Sequence, residues 1–157
     1  MISLHNQPAP AQLWFAADPP PKTDGPSEER DDAHLDARSL RILVVEDEFF
    51  ISLDLQNLLQ SLGHVVVGVA VSADQAVQLA QREQPDVALV DVRLIGPRDG
   101  IDAAEEIFNR FGVPSLFVTA NTDPQTRARA QAVQPLGFLE KPVNVQRLRA
   151  GLRNVPM

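Results

Sequence analysis

At 157 residues, 44% of them apolar, and with a net charge of −7, the chain is long enough for one domain with a buried core and too acidic to offer nucleic acid or anionic lipid a broad basic face. It contains no Cys, which excludes disulfides and thiolate metal sites. No apolar run approaches the roughly 18 residues of a membrane span, and the amino terminus lacks the basic and apolar regions of a secretion signal, so a cytoplasmic protein is expected.

Residues 1–39 differ in composition from the rest. They hold Pro8, Pro10, Pro19, Pro20, Pro21 and Pro26, and seven acidic residues against three basic ones. Such a stretch cannot bury enough apolar surface to offset its ordering entropy, so a mostly disordered tail is expected. Leu13-Trp14-Phe15-Ala16-Ala17, with the only Trp, interrupts it. A docking motif, a segment lying on the domain's own surface and a chance remnant are all open readings of that island.

From Arg41 onward, strands and helices alternate. Residues 41–46 predict a first buried strand, and Phe49, Phe50, Ile51, Leu53, Leu55, Leu58, Leu59 and Leu62 supply an apolar helix face that Gly63 closes. Residues 64–70 predict a second strand. Ser72 is an N-cap, with Gln75 at the capping-box position, for a helix carrying Ala76, Val77, Leu79 and Ala80 as far as Gln84-Pro85. Asp86-Val-Ala-Leu-Val-Asp91 is an apolar run closed by one carboxylate, the pattern of a strand buried on both faces. A loop over 92–99 leads to a helix over 100–111, marked by Ile101, Ala104, Ile107, Phe108 and Phe111 and ended by Gly112. Residues 113–119 form a fourth strand with Pro114 near its start. A fourth helix runs from Thr122 or Asp123 to Val133 and is poor in large apolar residues. Residues 137–141 form a fifth strand, and 143–153 a last helix with Val145, Leu148 and Leu152 facing inward.

Five such strands alternating with five helices imply an α/β fold, a doubly wound five-stranded parallel sheet in the order 2-1-3-4-5. That order sets strands 1 and 3 side by side at the switch point, where ligands collect beyond the carboxyl ends of strands. Glu46 and Asp47 follow strand 1, Asp91 ends strand 3, Thr119 ends strand 4 and Lys141 ends strand 5. Singly, each has a plainer reading: an acidic pair opening a helix, a loop cap, a strand hydroxyl, a solvated lysine. Together, three carboxylates repel unless some protonate or a cation joins them, and Mg²⁺, a hard ion that takes oxygen ligands, resolves the repulsion.

Val44-Val-Glu-Asp-Glu48, Leu89-Val-Asp-Val92, Phe117-Val-Thr-Ala120 and Gly137-Phe-Leu-Glu-Lys-Pro142, in that order and on those strands, resemble the receiver domains of two-component response regulators. The resemblance covers residues 40–155 and implies the flavodoxin-like form of the doubly wound sheet. It further implies that Asp91 is the phosphoacceptor, taking a phosphoryl group from a phosphohistidine of a sensor histidine kinase. Glu46, Asp47, Asp91 and the backbone carbonyl of Arg93 would hold Mg²⁺. Thr119 and Lys141 would contact the phosphoryl oxygens, and Phe138 would be the aromatic residue that swings inward with Thr119 on activation. Such a domain is no enzyme beyond catalysing its own phosphorylation and dephosphorylation.

Two features depart from the family's commonest pattern. The loop over 93–100 is one residue longer and lacks a Met-Pro pair, and Glu46 stands where Asp is commoner. Arg93 and Asn121, each two residues past a site residue, occupy positions that influence phosphate lifetime in this family. No output domain is expected after Val155. Signalling is therefore expected by contact with a downstream regulatory protein, or the domain drains phosphate as a sink; no nucleic-acid or membrane partner is expected. Arg127 and Arg129, with Arg147, Arg149 and Arg153, read either as solvated helix faces or as a basic face for an acidic partner or a second copy. The alternative is a phosphorylation-independent protein-binding module that keeps the receiver fold. A hydrolase of the haloacid-dehalogenase type would need a second Asp where Arg93 stands.

Overall fold

The computed structural model describes residues 38–120 and 122–157, so the expectations for residues 1–37, the Trp14 island included, and for Asn121 lie outside the described residues. Strands β1 (Arg41–Val45), β2 (Val65–Ala70), β3 (Val87–Asp91), β4 (Ser115–Thr119) and β5 (Gly137–Glu140) alternate with helices α1 (Phe49–Ser61), α2 (Ala73–Glu83), α3 (Gly100–Phe111), α4 (Pro124–Ala132) and α5 (Val145–Leu152). All strand pairs are parallel and the sheet order is β2-β1-β3-β4-β5, as the sequence implies.

Successive residues of a strand face opposite sides, so strands apolar throughout feed two cores at once. On one side Leu43, Val45, Ala88, Val90 and Phe117 meet Ala76, Val77 and Ala80 of α2 and Ile101, Ala104 and Ile107 of α3. On the other, Ile42, Val44, Leu89, Leu116 and Val118 meet Leu55 and Leu59 of α1 and Leu148 and Leu152 of α5. The register pairs Val45 with Val90, Asp91 with Val118 and Thr119 with Glu140. Strands 1, 3, 4 and 5 thus end along one edge.

The caps follow their sequence signals. The Ser72 side chain accepts the Gln75 N–H, while the Gln75 side chain reaches back to the Val71 N–H at 2.9 Å. Asp99 and Asp102 form a reciprocal capping box at α3, and Asp123 and Asn144 cap α4 and α5. Gln84, before Pro85, closes α2 in the left-handed region, and Gly112 does so for α3. β4 begins at Ser115, after Pro114, which has no N–H to lend a ladder.

Two expectations need correction. The apolar residues of α1 are not all on one buried face: Leu55 and Leu59 are buried, whereas Phe49 is 71% exposed, Phe50 81% and Leu53 42%. A single stripe of a 13-residue helix cannot take seven large apolar side chains, the eighth, Leu62, being its C-cap. The helix docks along Ser52, Leu55 and Leu59, and its first turn leaves Phe49 and Phe50 exposed, their rings edge to face at 5.4 Å. Nor are Arg127 and Arg129 a free basic face. Arg129 clasps Asp99 at 2.9 and 3.2 Å and Asp102 at 3.3 Å, and the Arg127 guanidinium lies 4.5 Å over the Phe138 ring. α4 buries only Ala130, so these contacts do much of its anchoring.

Gly100 marks the tightest approach between a helix and the sheet edge. A Cβ there would collide with the Asp91 carbonyl oxygen and come within 2.9 Å of Val90 Cγ1. In an open helix, Gly→Ala stabilises by about 1 kcal/mol. Here Gly100→Ala should instead cost about 1–3 kcal/mol, seen as a lower urea midpoint at unchanged m-value; a variant as stable as the parent refutes the close approach. The Ser115 hydroxyl is buried with no hydrogen-bond partner among the described residues. Ser115→Ala should accordingly leave stability equal or higher by up to about 1 kcal/mol, and a clear loss in thermal melting would show that the hydroxyl is satisfied.

Candidate functional site

Glu46, Asp47, Asp91, Thr119 and Lys141 each stand at or just past the carboxyl end of a strand. Glu46 is 1% exposed and Asp91 6%, while Asp47 is half-buried. Backbone bonds pin the ends: the Glu46 N–H donates to the Ala70 carbonyl, and the Lys141 N–H to the Thr119 carbonyl, both at 2.9 Å. Thr119 is buried at the end of β4.

The Lys141 ammonium bridges two strand ends, with Nζ 2.8 Å from Glu46 Oε2 and 2.9 Å from Asp91 Oδ2. The other Glu46 oxygen accepts the Glu48 N–H at 3.0 Å, and Asp91 Oδ1 accepts the Arg93 N–H at 3.1 Å. Asp47 Oδ2 accepts the Ile95 N–H at 3.2 Å. Burial pushes the Glu46 carboxyl above its ordinary value; the Lys141 bond and the Glu48 amide oppose that, and the neighbouring Asp91 charge reinforces it. Burial alone would pull Lys141 down, but its hydrogen bonds to Glu46 and Asp91 outweigh it and hold the ammonium above its ordinary value. Lys141 is therefore charged throughout the neutral range.

One carboxylate oxygen from each of Glu46, Asp47 and Asp91 lies within 4.8 Å of the other two. Three carboxylates against one ammonium leave two negative charges uncompensated in a largely buried pocket. Oxygen donors at that spacing, with no sulfur or imidazole among them, suit a hard divalent cation, and a double positive charge is what the balance lacks.

The remaining site candidates fall around this cluster. Phe138 is half-buried, paired with Phe117 across β4 and β5 and stacked on its ring at 5.6 Å, on the strand next to Thr119. Arg93 is exposed and meets Asp91 through its amide. Two participants carry no side-chain signal: the Ile95 amide, a backbone group, and Gly100, whose role is the absence of a Cβ against Asp91. Asp99-Gly100 at a helix start marks the second in sequence, while nothing marks the first.

A protein-family comparison matches residues 42–153 to the response regulator receiver domain. Transcriptional regulatory protein PdtaR of Mycobacterium tuberculosis is 36% identical over 108 residues, covering 69% of this chain and 52% of that protein. Phyllosphere-induced regulator PhyR of Methylorubrum extorquens is 35% identical over 102 residues, covering 64% of this chain and 38% of that protein. The chain thus spans about half the length or less of these curated relatives. Among solved structures, the signal receiver domain of a modulated diguanylate cyclase from Desulfovibrio desulfuricans superposes with a TM-score of 0.72 at 35% identity, covering 75% of this chain and 94% of that one. With that match over most of the chain, and with five parallel strands bringing an acidic cluster and a lysine to one edge, this protein belongs to the response regulator receiver domain family.

Proposed function

We propose that this domain accepts a phosphoryl group on Asp91 from a phosphohistidine of a sensor histidine kinase, with Mg²⁺ bound by Glu46, Asp47, Asp91 and the Arg93 carbonyl. The observation that carries the reading is the pocket's charge: three carboxylates share one ammonium at the junction of β1 and β3. An Asp91 oxygen attacks phosphorus, the phosphorus–nitrogen bond breaks with its electron pair passing to the imidazole, and an acyl phosphate forms. Mg²⁺ held there supplies positive charge that offsets both the nucleophile and the transferring group. The Lys141 ammonium, a mobile point charge, follows an Asp91 oxygen in the resting domain and a phosphoryl oxygen afterwards. The Thr119 hydroxyl donates to a phosphoryl oxygen only once it is present, drawing the end of β4 inward, with Phe138 refilling the space that Thr119 vacates.

Phe49 and Phe50, 71% and 81% exposed, follow Asp47 by two and three residues in the chain and offer a protein donor an apolar contact. Output passes by contact with a regulatory protein, or the domain serves as a phosphate sink. A histidine kinase donor implies a cytoplasmic setting; among the described residues no helix is long and apolar enough to cross a membrane.

Incubation with acetyl phosphate and Mg²⁺ should add one phosphoryl group by intact mass, chelation of the metal should prevent it, and Asp91→Asn should gain none. Unmodified wild-type protein under those conditions, with Mg²⁺ binding also undetectable, would instead favour the phosphorylation-independent binding module. Lys141→Met leaves Glu46 and Asp91 facing each other without the ammonium between them. Removing one partner of such a buried set costs about 3 kcal/mol. Added Mg²⁺ should therefore raise the melting temperature of Lys141→Met more than that of wild type, whereas equal shifts would mean that cation and ammonium do not answer the same charge.

A further inference from the structure

The loop between β3 and α3 is fastened at both ends in ways that phosphoryl transfer does not require. At its front the Arg93 and Ile95 amides donate to Asp91 Oδ1 and Asp47 Oδ2. At its back the Arg98 guanidinium spans two helices, with one nitrogen 2.8 Å from Asp74 of α2 and another bonded to Glu106 of α3, which Arg110 also holds at 2.8 Å. Between the fastenings Gly96 sits at φ +113°, a conformation open to glycine and strained for other residues, though a Cβ there would meet nothing within 4 Å. Ile95 itself exposes 75% of its surface. Its contribution to the pocket is therefore its N–H and not its side chain.

We propose that this loop is a positioning element for Asp47: the Arg98 clasp and the Gly96 turn hold the Ile95 amide against the Asp47 carboxylate, orienting it for a divalent cation. Asp47 is the most exposed of the three carboxylates, and no cationic side chain is seen to hold it as Lys141 holds Glu46 and Asp91 among the described residues. A carboxylate free to rotate loses torsional freedom when it binds a cation; one already aligned by a donor does not. The extra loop residue has a physical use on this view. It lets the chain leave Asp91, return to Asp47 at Ile95, and still reach the α2–α3 seam with Arg98.

The proposal rests on the reading of Asp47 as a cation ligand, and a sign separates it from simple electrostatics. Removing the positive Arg98 near an acidic pocket would tighten cation binding if charge alone mattered. If the loop positions Asp47, Arg98→Met should weaken binding despite the lost positive charge. Titration calorimetry of the whole chain with Mg²⁺ alone should show a Kd raised about three- to tenfold in Arg98→Met and in Gly96→Ala, the worth of one ordinary hydrogen bond. Ile95→Ala, which keeps the amide, should bind as wild type does. The maximal rate of phosphorylation by acetyl phosphate at saturating Mg²⁺ should be retained in all three, since Asp91 and Lys141 are untouched. Unchanged or tighter binding in both Arg98→Met and Gly96→Ala, with wild type binding normally, would overturn the loop's role. Loss of binding in Ile95→Ala as well would assign the effect to the side chain and overturn it equally. Absence of Mg²⁺ binding by wild type would instead count against the cation site itself.

Discussion

The Lys141 ammonium is the contact on which the pocket depends. It lies between carboxylates carried by strands that are not sheet neighbours of its own: Glu46 follows β1, Asp91 ends β3, and Lys141 follows β5 across the intervening β4. A buried carboxylate pair without it would have to take up a proton, and a buried lysine without them would tend to lose one. The two demands oppose each other: the ammonium works against the burial that raises Glu46, and the carboxylates hold Lys141 above its ordinary value. The residual negative charge then comes mostly from Asp47 and from the carboxylate that Lys141 cannot fully answer. The pocket is stable enough to fold and still electrostatically unfinished.

That balance needs a rigid frame, and the frame comes from burying both faces of the sheet. β3 and β4 bury every residue, including the terminal Asp91 and Thr119. A strand end so enclosed cannot swing its carboxylate out to water to escape repulsion. The wedge of α3 tightens this further, because the missing side chain at Gly100 lets the helix start against the Asp91 carbonyl and places Asp99, its N-cap, where Arg129 of α4 can clasp it. Burial raises and the Arg129 and Asp102 contacts lower the Asp99 carboxyl, with the net below its ordinary value, so this clasp persists down to acidic pH and weakens only when pH falls through that lowered value.

The order of elements and the meeting of Glu46, Asp47, Asp91 and Lys141, with Thr119 at the end of β4, were legible because each rests on a local rule. Apolar runs without alternation mean strands buried twice, and a parallel order means that polar residues at their ends share an edge. What was not legible depends on backbone and on competition between faces. Nothing in the composition of α1 says that Leu55 and Leu59 win the core while Phe49 and Phe50 lose it, since all are apolar and the spacing admits both stripes. The arginines of α4 read as a solvent face because their partners, Asp99 and the Phe138 ring, are distant in sequence. The Ile95 amide has no residue type to betray it.

These pieces also explain why α4 is the element best placed to respond. It is nine residues long, buries one alanine, and is held from its middle by Arg127 on Phe138 and by Arg129 on Asp99 and Asp102. Both anchors attach to groups one step from the pocket: Phe138 stacks on Phe117, two residues before Thr119, and Asp99 precedes the Gly100 that touches Asp91. Elements fixed by a few polar contacts open at lower free energy than those fixed by burial. On the proposed phosphorylation of Asp91, the change of charge would meet least resistance along α4, because moving α3 or β4 would mean breaking a close-packed core, while moving α4 would mean exchanging two exposed arginine contacts for others.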